Sequence, residues 1–161
     1  MAVENTFNGA KSGLTFLHAY LNAVAEEIGM EQALALDAKT CQALGTAQGM
    51  MIKDQAGAEE VDIKTAAKML LSLVEEGFGI ASEVTDESPN KIICKVGRCS
   101  VYESAEMIGM NNKTIEACCR AGAIRFMDSA AKQLNPKLSY KLTKFRSSAD
   151  GSCGESIVLE E

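Results

Sequence analysis

The chain has 161 residues, 47% of them apolar and 24% charged, the composition of an ordinary soluble globular protein with room for one domain, 1–161, around a real core. A net charge of −6 and a pI near 4.9 exclude the clustered cations that a phosphate backbone needs, so no nucleic-acid partner is expected. No apolar run reaches the roughly 18 residues of a membrane span, and MAVENTFNGA lacks the basic and apolar regions of a secretory signal, so a cytoplasmic protein is expected.

Residues 1–12 show no period and read as a loose lead-in. From Gly13, the positions Leu14, Leu17, Leu21, Val24 and Ile28 recur at spacings of three and four, the seam of an amphipathic helix that Gly29 ends. His18, the single histidine, lies beside this seam, where a structural or solvated role is the plain expectation. A second helix is expected over 31–53, with Leu34, Cys41, Leu44 and Met51 on one side; its small residues suit close helix packing, including packing against a second copy. Asp62 then caps a third helix through Ile63, Ala66, Leu70 and Val74, closed by Gly77.

The period changes next. Phe78, Ile80, Ser82 and Val84 alternate as a strand, TDESPN supplies a turn, and residues 91–96 form a second strand. A short helix over 101–108 and a GMNN break follow, then a long helix over 113–134, with Asn112 as its N-cap and Asn135-Pro136 as its stop. Leu138, Tyr140 and Leu142 alternate, SSADGS turns the chain, and 153–159 alternates again. Helices and strands never alternate singly, so the expected fold is α+β: N-terminal helices (13–77), then ββ-αα-ββ with a mostly antiparallel four-stranded sheet (78–161).

Chemistry concentrates in CSVYESAEMIGMNNKTIEACCRAGAIRFMD, residues 99–128. The chain is large enough not to need disulfide staples, and vicinal Cys118 and Cys119 would close only a strained ring, so reduced thiols are expected. Cys99, Cys118 and Cys153 could form a zinc site with a carboxylate from Glu103, Asp128 or Glu155, or be buried thiols only; no CxxC knuckle supports the metal. Alternatively Cys119 could be a nucleophile, with His18 the single imidazole available as its base. Tyr102, Glu103, Arg125 and Asp128 could orient a polar ligand, although Arg125 and Asp128, three apart, also suit an intrahelical ion pair. No phosphate-binding Gly-rich loop, GxSxG elbow or HExxH is present.

Cys99-x-x-Tyr102, the Gly109 break, Cys118 or Cys119, Asp128, Leu134-Asn135-Pro136-Lys137-Leu138, Arg146 and Gly151-x-Cys153 together resemble the C-terminal half of the L-2-amino-thiazoline-4-carboxylate hydrolase family. That family is similar in turn to the 4-vinyl reductase and TRAPP-subunit-like α+β superfamily. The resemblance covers about residues 93–159 and implies a small-molecule pocket between helices and sheet, with cysteines near one end, sometimes around zinc. It also implies an acidic residue directly after the last cysteine; here Gly154 stands there, with Glu155 beyond it.

Three functions fit. The first is a sensory or carrier domain binding a small molecule in a Cys-lined pocket that could hold zinc. The second is a hydrolase opening a cyclic amidine or thiazoline ring. In it, a metal, Glu103 or Asp128 would activate water, Arg125 or Arg146 would hold a carboxylate, or Cys118 or Cys119 would attack directly. The third is an interaction protein of TRAPP-like type that forms a homodimer through its helices.

Overall fold

The computed structural model describes residues 2–57 and 59–160. Three helices come first, α1 (Ala2–Ile28), α2 (Met30–Ala56) and α3 (Ile63–Phe78). The hairpin β1 (Ser82–Ser88) and β2 (Lys91–Val96) follows, then α4 (Ser100–Met107), α5 (Asn112–Ala121) and α6 (Ala123–Leu134), and finally the hairpin β3 (Leu138–Lys144) and β4 (Cys153–Leu159). The sheet order is β1-β2-β4-β3, antiparallel throughout, so the second strand of each hairpin lies at the centre. The fold is α+β, as the sequence pattern predicts.

The expected lead-in is instead the first part of α1. The buried stripe of that helix runs through Phe7, His18 and Leu21, with Lys11 and Leu14 half-buried between them, while Leu17 and Ile28 of the expected seam are exposed. Polar Lys11 and His18 occupy positions where apolar residues would have announced the stripe. Phe7 is held under the Arg98 guanidinium, 4.0 Å from its ring centroid, and Arg98 also pairs with Glu4 at 3.0 Å and Glu103 at 2.8 Å. Gly29, at φ 88°, makes the sharp turn into α2 that a side chain would resist.

Helix α2 buries Ala33, Gly45 and Gly49, not the expected Leu44 and Met51, which are exposed. Gly45 and Gly49 let the α2 backbone touch α6. A Cβ on Gly45 would run into the Phe126 carbonyl, and one on Gly49 would lie 2.7 Å from the Ala130 carbonyl oxygen. Asp62 caps α3 as expected, accepting from the backbone N–H groups of Lys64 at 2.9 Å and Thr65 at 3.1 Å. The helix runs past Gly77 to Gly79, at φ 65°, where the backbone of Phe7 leaves no room for a side chain. Because α3 continues that far, the first strand begins at Ser82 rather than Phe78, and it runs on to Ser88, so residues 85–88 of the expected turn are strand and only Pro89 and Asn90 turn the chain. The freed Phe78 packs edge-on against Phe126 at 6.2 Å. Glu83, Asp86 and Glu87 place charge along this edge strand, a feature that disfavours pairing with another chain.

The long helix expected after the second strand is two helices broken at Gly122. There the α2 residue Asp37 comes so close that a Cβ would meet its Oδ2 at 2.8 Å. Asn111, not Asn112, caps α5, accepting from the Thr114 N–H at 3.0 Å. That leaves Asn112 to accept from the Tyr102 hydroxyl at 3.0 Å and donate to the Arg146 carbonyl at 3.2 Å. Asn135 ends α6, and its side chain donates to the Val61 carbonyl at 3.2 Å, tying the α2–α3 connection to the sheet.

Because Gly49 lies against α6 while Gly9 has open space around it, the two should respond oppositely to added bulk. Gly49→Val should lower stability by ~1–3 kcal/mol through overpacking. Gly9→Ala, in an exposed stretch of α1, should raise it by ~0.5–1 kcal/mol. Urea unfolding midpoints of the two variants check this.

Candidate functional site

The inner face of the sheet and the helices line a partly open cavity of about 180 Å³. Apolar groups from many elements line it, among them Leu14 and Leu21 of α1, Val74 of α3, Ile115 of α5 and Ile124 and Phe126 of α6. An engineered apolar cavity of about 150 Å³ takes a benzene, so this one suits a ligand of about that size or slightly larger. Five of the six cysteines line it: Cys41, Cys99, Cys118, Cys119 and Cys153. The sixth, Cys94, is buried on β2 opposite Glu155.

The 100° turn between consecutive helical residues splits the vicinal pair. Cys118 packs with Leu21, Tyr102 and Ile115, close enough to Asp37 to feel its charge. Cys119 packs beside Val96, Cys153 and the partly buried Cys99, within electrostatic reach of Glu155. The structure therefore brings Cys119, rather than Cys118, together with Cys99 and Cys153. Among the described residues, no three His, Cys, Asp or Glu side chains stand where they could hold a metal ion. The zinc set Cys99, Cys118 and Cys153 is thus divided between two parts of the cavity wall.

Burial pushes the thiols upward. Cys41 rises to about 12 through desolvation and the neighbouring Asp37 carboxylate, to which its Sγ donates at 3.6 Å. Cys94 and Cys118 rise to about 11, and Cys119 and Cys99 also rise, in each case mainly through burial. A thiol in such surroundings stays protonated at neutral pH and is a poor nucleophile. His18 is buried, and desolvation lowers its pKa; its Nδ1 lies 3.1 Å from the Ser104 hydroxyl. His18 lines the cavity as well.

Arg146 and Tyr102 line the cavity as well. The Arg146 side chain is 1% exposed. Its guanidinium donates to Cys153 Sγ at 3.3 Å and to the carbonyls of Val96 at 3.3 Å, Gly97 at 2.5 Å and Ala149 at 3.4 Å. Its bonds fasten the 145–151 loop to the end of β2. It also sits 5.3 Å from the Tyr102 ring centroid.

Glu103, Asp128 and Arg125 lie outside the cavity. Glu103 is half-buried, and the bonds from Arg98 and Lys11 outweigh its burial, so its carboxyl stays below the ordinary value. Asp128 accepts the Tyr140 backbone N–H at 3.0 Å and pairs with Lys132 at 2.6 Å, pinning α6 to β3. The intrahelical pair expected between Arg125 and Asp128 is replaced by this one, because Lys132 lies four residues on, where a long side chain reaches back. Arg125 is exposed.

The residues that pattern reading passed over are Tyr140 and Asp37, together with Glu155 in any role but metal ligand. Tyr140 and Glu155 both face the helices from the sheet, and the Tyr140 hydroxyl donates a short hydrogen bond to Glu155 Oε2. Burial raises the Glu155 pKa, opposed by that hydrogen bond and by Arg146. Burial, then the Glu155 charge, takes Tyr140 well above the usual phenol value. The available signal was Glu155 at an inward position of an alternating strand.

One solved structure covers 94% of this chain and 97% of its own: a trafficking protein particle complex subunit 3 from Naegleria fowleri, covalently bound to palmitic acid. The TM-score is 0.61 at 13% identity. The chain has the fold of a TRAPP subunit. Neither a family model nor a curated protein matches it. The likeness is one of fold, and it extends to the N-terminal helices that the sequence resemblance left out. Among the described residues, no helix is long and apolar enough to cross a membrane.

A thiol whose folded pKa lies above its unfolded value of 9.0 supports the fold fully below that value and loses its contribution as pH rises toward the folded one. Raising the pH from about 8 to about 10.5 should therefore lower the urea midpoint, and Cys41→Ala should show a smaller drop than the parent chain. Equal drops would mean that Cys41 does not carry the linkage.

Proposed function

We propose that this chain is a small-molecule-binding domain whose interior cavity takes a compact, mostly apolar ligand without covalent attachment. The carrying observation is the cavity itself, an apolar space kept open in a tightly packed core. Protein interiors usually close such spaces, because each unfilled volume forfeits dispersion contacts. A protein of the same fold covalently bound to palmitic acid supports an apolar ligand here. Non-covalent binding is favoured because burial raises the thiols of Cys41, Cys99, Cys118 and Cys119 on the wall and keeps them protonated. Glu103 and Asp128 lie outside the cavity, so a ring-opening hydrolase there would lack the two carboxylates expected to activate water. The test fills the space. Ala123→Phe, placed on the cavity wall, should abolish binding of a small apolar probe such as hexanol measured by calorimetry, while leaving the circular dichroism spectrum unchanged. Undiminished binding would sink the reading.

A specific observation favours a second role alongside the first. Helices α1 and α2 each leave an apolar stripe in solvent: Phe16 (77% exposed) and Tyr20 on α1, and Leu36, Leu44 and Met51 on α2. Scattered exposed apolar residues are normal, but stripes at helical spacing suit a helix-mediated partner. The structural neighbour is itself a subunit of a complex. A homodimer through these helices fits the pattern. Light scattering should then give twice the chain mass, and Phe16→Glu with Leu44→Glu should return the monomer. A parent chain that is monomeric at high concentration would end this reading.

A further inference from the structure

The cavity is apolar over most of its wall, so its few polar groups decide what it accepts. Most of them are already engaged. Tyr102 donates to Asn112, His18 meets Ser104, and Arg146 is occupied by Cys153 and three backbone carbonyls. Two carboxylates remain. Glu155 takes one hydrogen bond from Tyr140, and its other oxygen, Oε1, accepts none from the described residues. Asp37 takes a weak bond from the Cys41 thiol at 3.6 Å. No cation pairs with either one within 4.0 Å among the described residues. A carboxylate offers about four acceptor positions, and both side chains line the cavity while only partly buried, so spare positions stay within reach of a donor.

Resting on the reading of the cavity as a ligand site, we propose that Glu155, backed by Tyr140, recognises a hydrogen-bond donor on the ligand, so that the cavity selects small apolar amines or alcohols and rejects carboxylates. The two acids stand on different elements, Glu155 on β4 and Asp37 on α2, and both line the same space. A carboxylate head turned toward β4 or α2 meets an acid of the protein, while the Arg146 guanidinium on the same wall is already engaged by Cys153 and three carbonyls. An amine or alcohol instead fills the spare acceptor position on Glu155 while its alkyl body lies among Ile115, Ile124 and Phe126. Glu155 is a binding residue here, and Tyr140 positions it by fixing Oε2 and leaving Oε1 free.

The test measures the affinities of hexylamine, hexanol and hexanoate for the parent chain, Glu155→Leu and Glu155→Gln by calorimetry at neutral pH. In the parent chain, hexylamine and hexanol should bind roughly tenfold or more tightly than hexanoate. Glu155→Leu should erase that preference while retaining apolar binding. Glu155→Gln, which keeps an acceptor but loses the charge, should weaken hexylamine more than hexanol, and it serves if the leucine variant does not fold. Equal binding of all three compounds to the parent chain would overturn the donor preference while leaving the cavity reading intact. So would an amine preference that survives both substitutions. Failure of all three compounds to bind the parent chain would end both.

Discussion

The approach of α2 to α6 is the constraint on which the rest of this structure depends. Glycines at positions 45 and 49 allow the two backbones to touch, and Gly122 lets Asp37 lie against the break between α5 and α6. Helices usually pack at interaxial distances of about 8–10 Å, set by the side chains between them, and glycine removes that spacer. With α2 drawn in, Asp37 and Cys41 reach the interior. Helices α5 and α6 must then bend, and the bend divides what would be one apolar face. The cavity lies where these surfaces and the sheet fail to meet.

Around that space the protein applies a consistent chemistry. Groups that could be costly when buried are tied down: the Arg146 guanidinium by carbonyls, Tyr102 by Asn112, and His18 by Ser104. Charge pairs that do not serve the interior are held outside it, as with Glu103 among Arg98 and Lys11, or Asp128 with Lys132. The cysteines behave as small hydrophobes with weak donors, filling a wall without introducing charge. What remains on the wall are two partly buried acids, Glu155 and Asp37, with spare acceptor positions.

This arrangement differs from a reactive centre in a definite way. A nucleophilic thiol needs a nearby cation, base or helix N-terminus to lower its pKa. Here burial dominates and moves the thiols the other way. The same residue type that suggests catalysis or metal binding in a sequence therefore becomes inert lining once its surroundings are known.

Much of the architecture was legible from local pattern. The two hairpins, the Asp62 cap, the Asn135-Pro136 stop and the α+β class follow from turn chemistry and from alternation of period two against period 3.6, which need only near neighbours. Of the residues singled out in the sequence, Tyr102, Cys119, Cys153 and Arg146 line the cavity. What the sequence could not determine depends on contacts between distant segments. Lys11 and His18 interrupt the stripe of α1, so only packing against α3 and α4 reveals the helix register. Nothing local tells whether Cys118 or Cys119 faces the sheet, because Gly122 breaks the helix in response to Asp37, 85 positions earlier. Glu103 and Asp128 looked like candidate acids until Arg98, Lys11 and the Tyr140 backbone claimed them. Glu155 looked like a strand carboxylate until the sheet turned it inward. Local propensity selected the elements, and long-range packing chose which of their faces met the interior, because burial is a property of the assembled layers and not of any one segment.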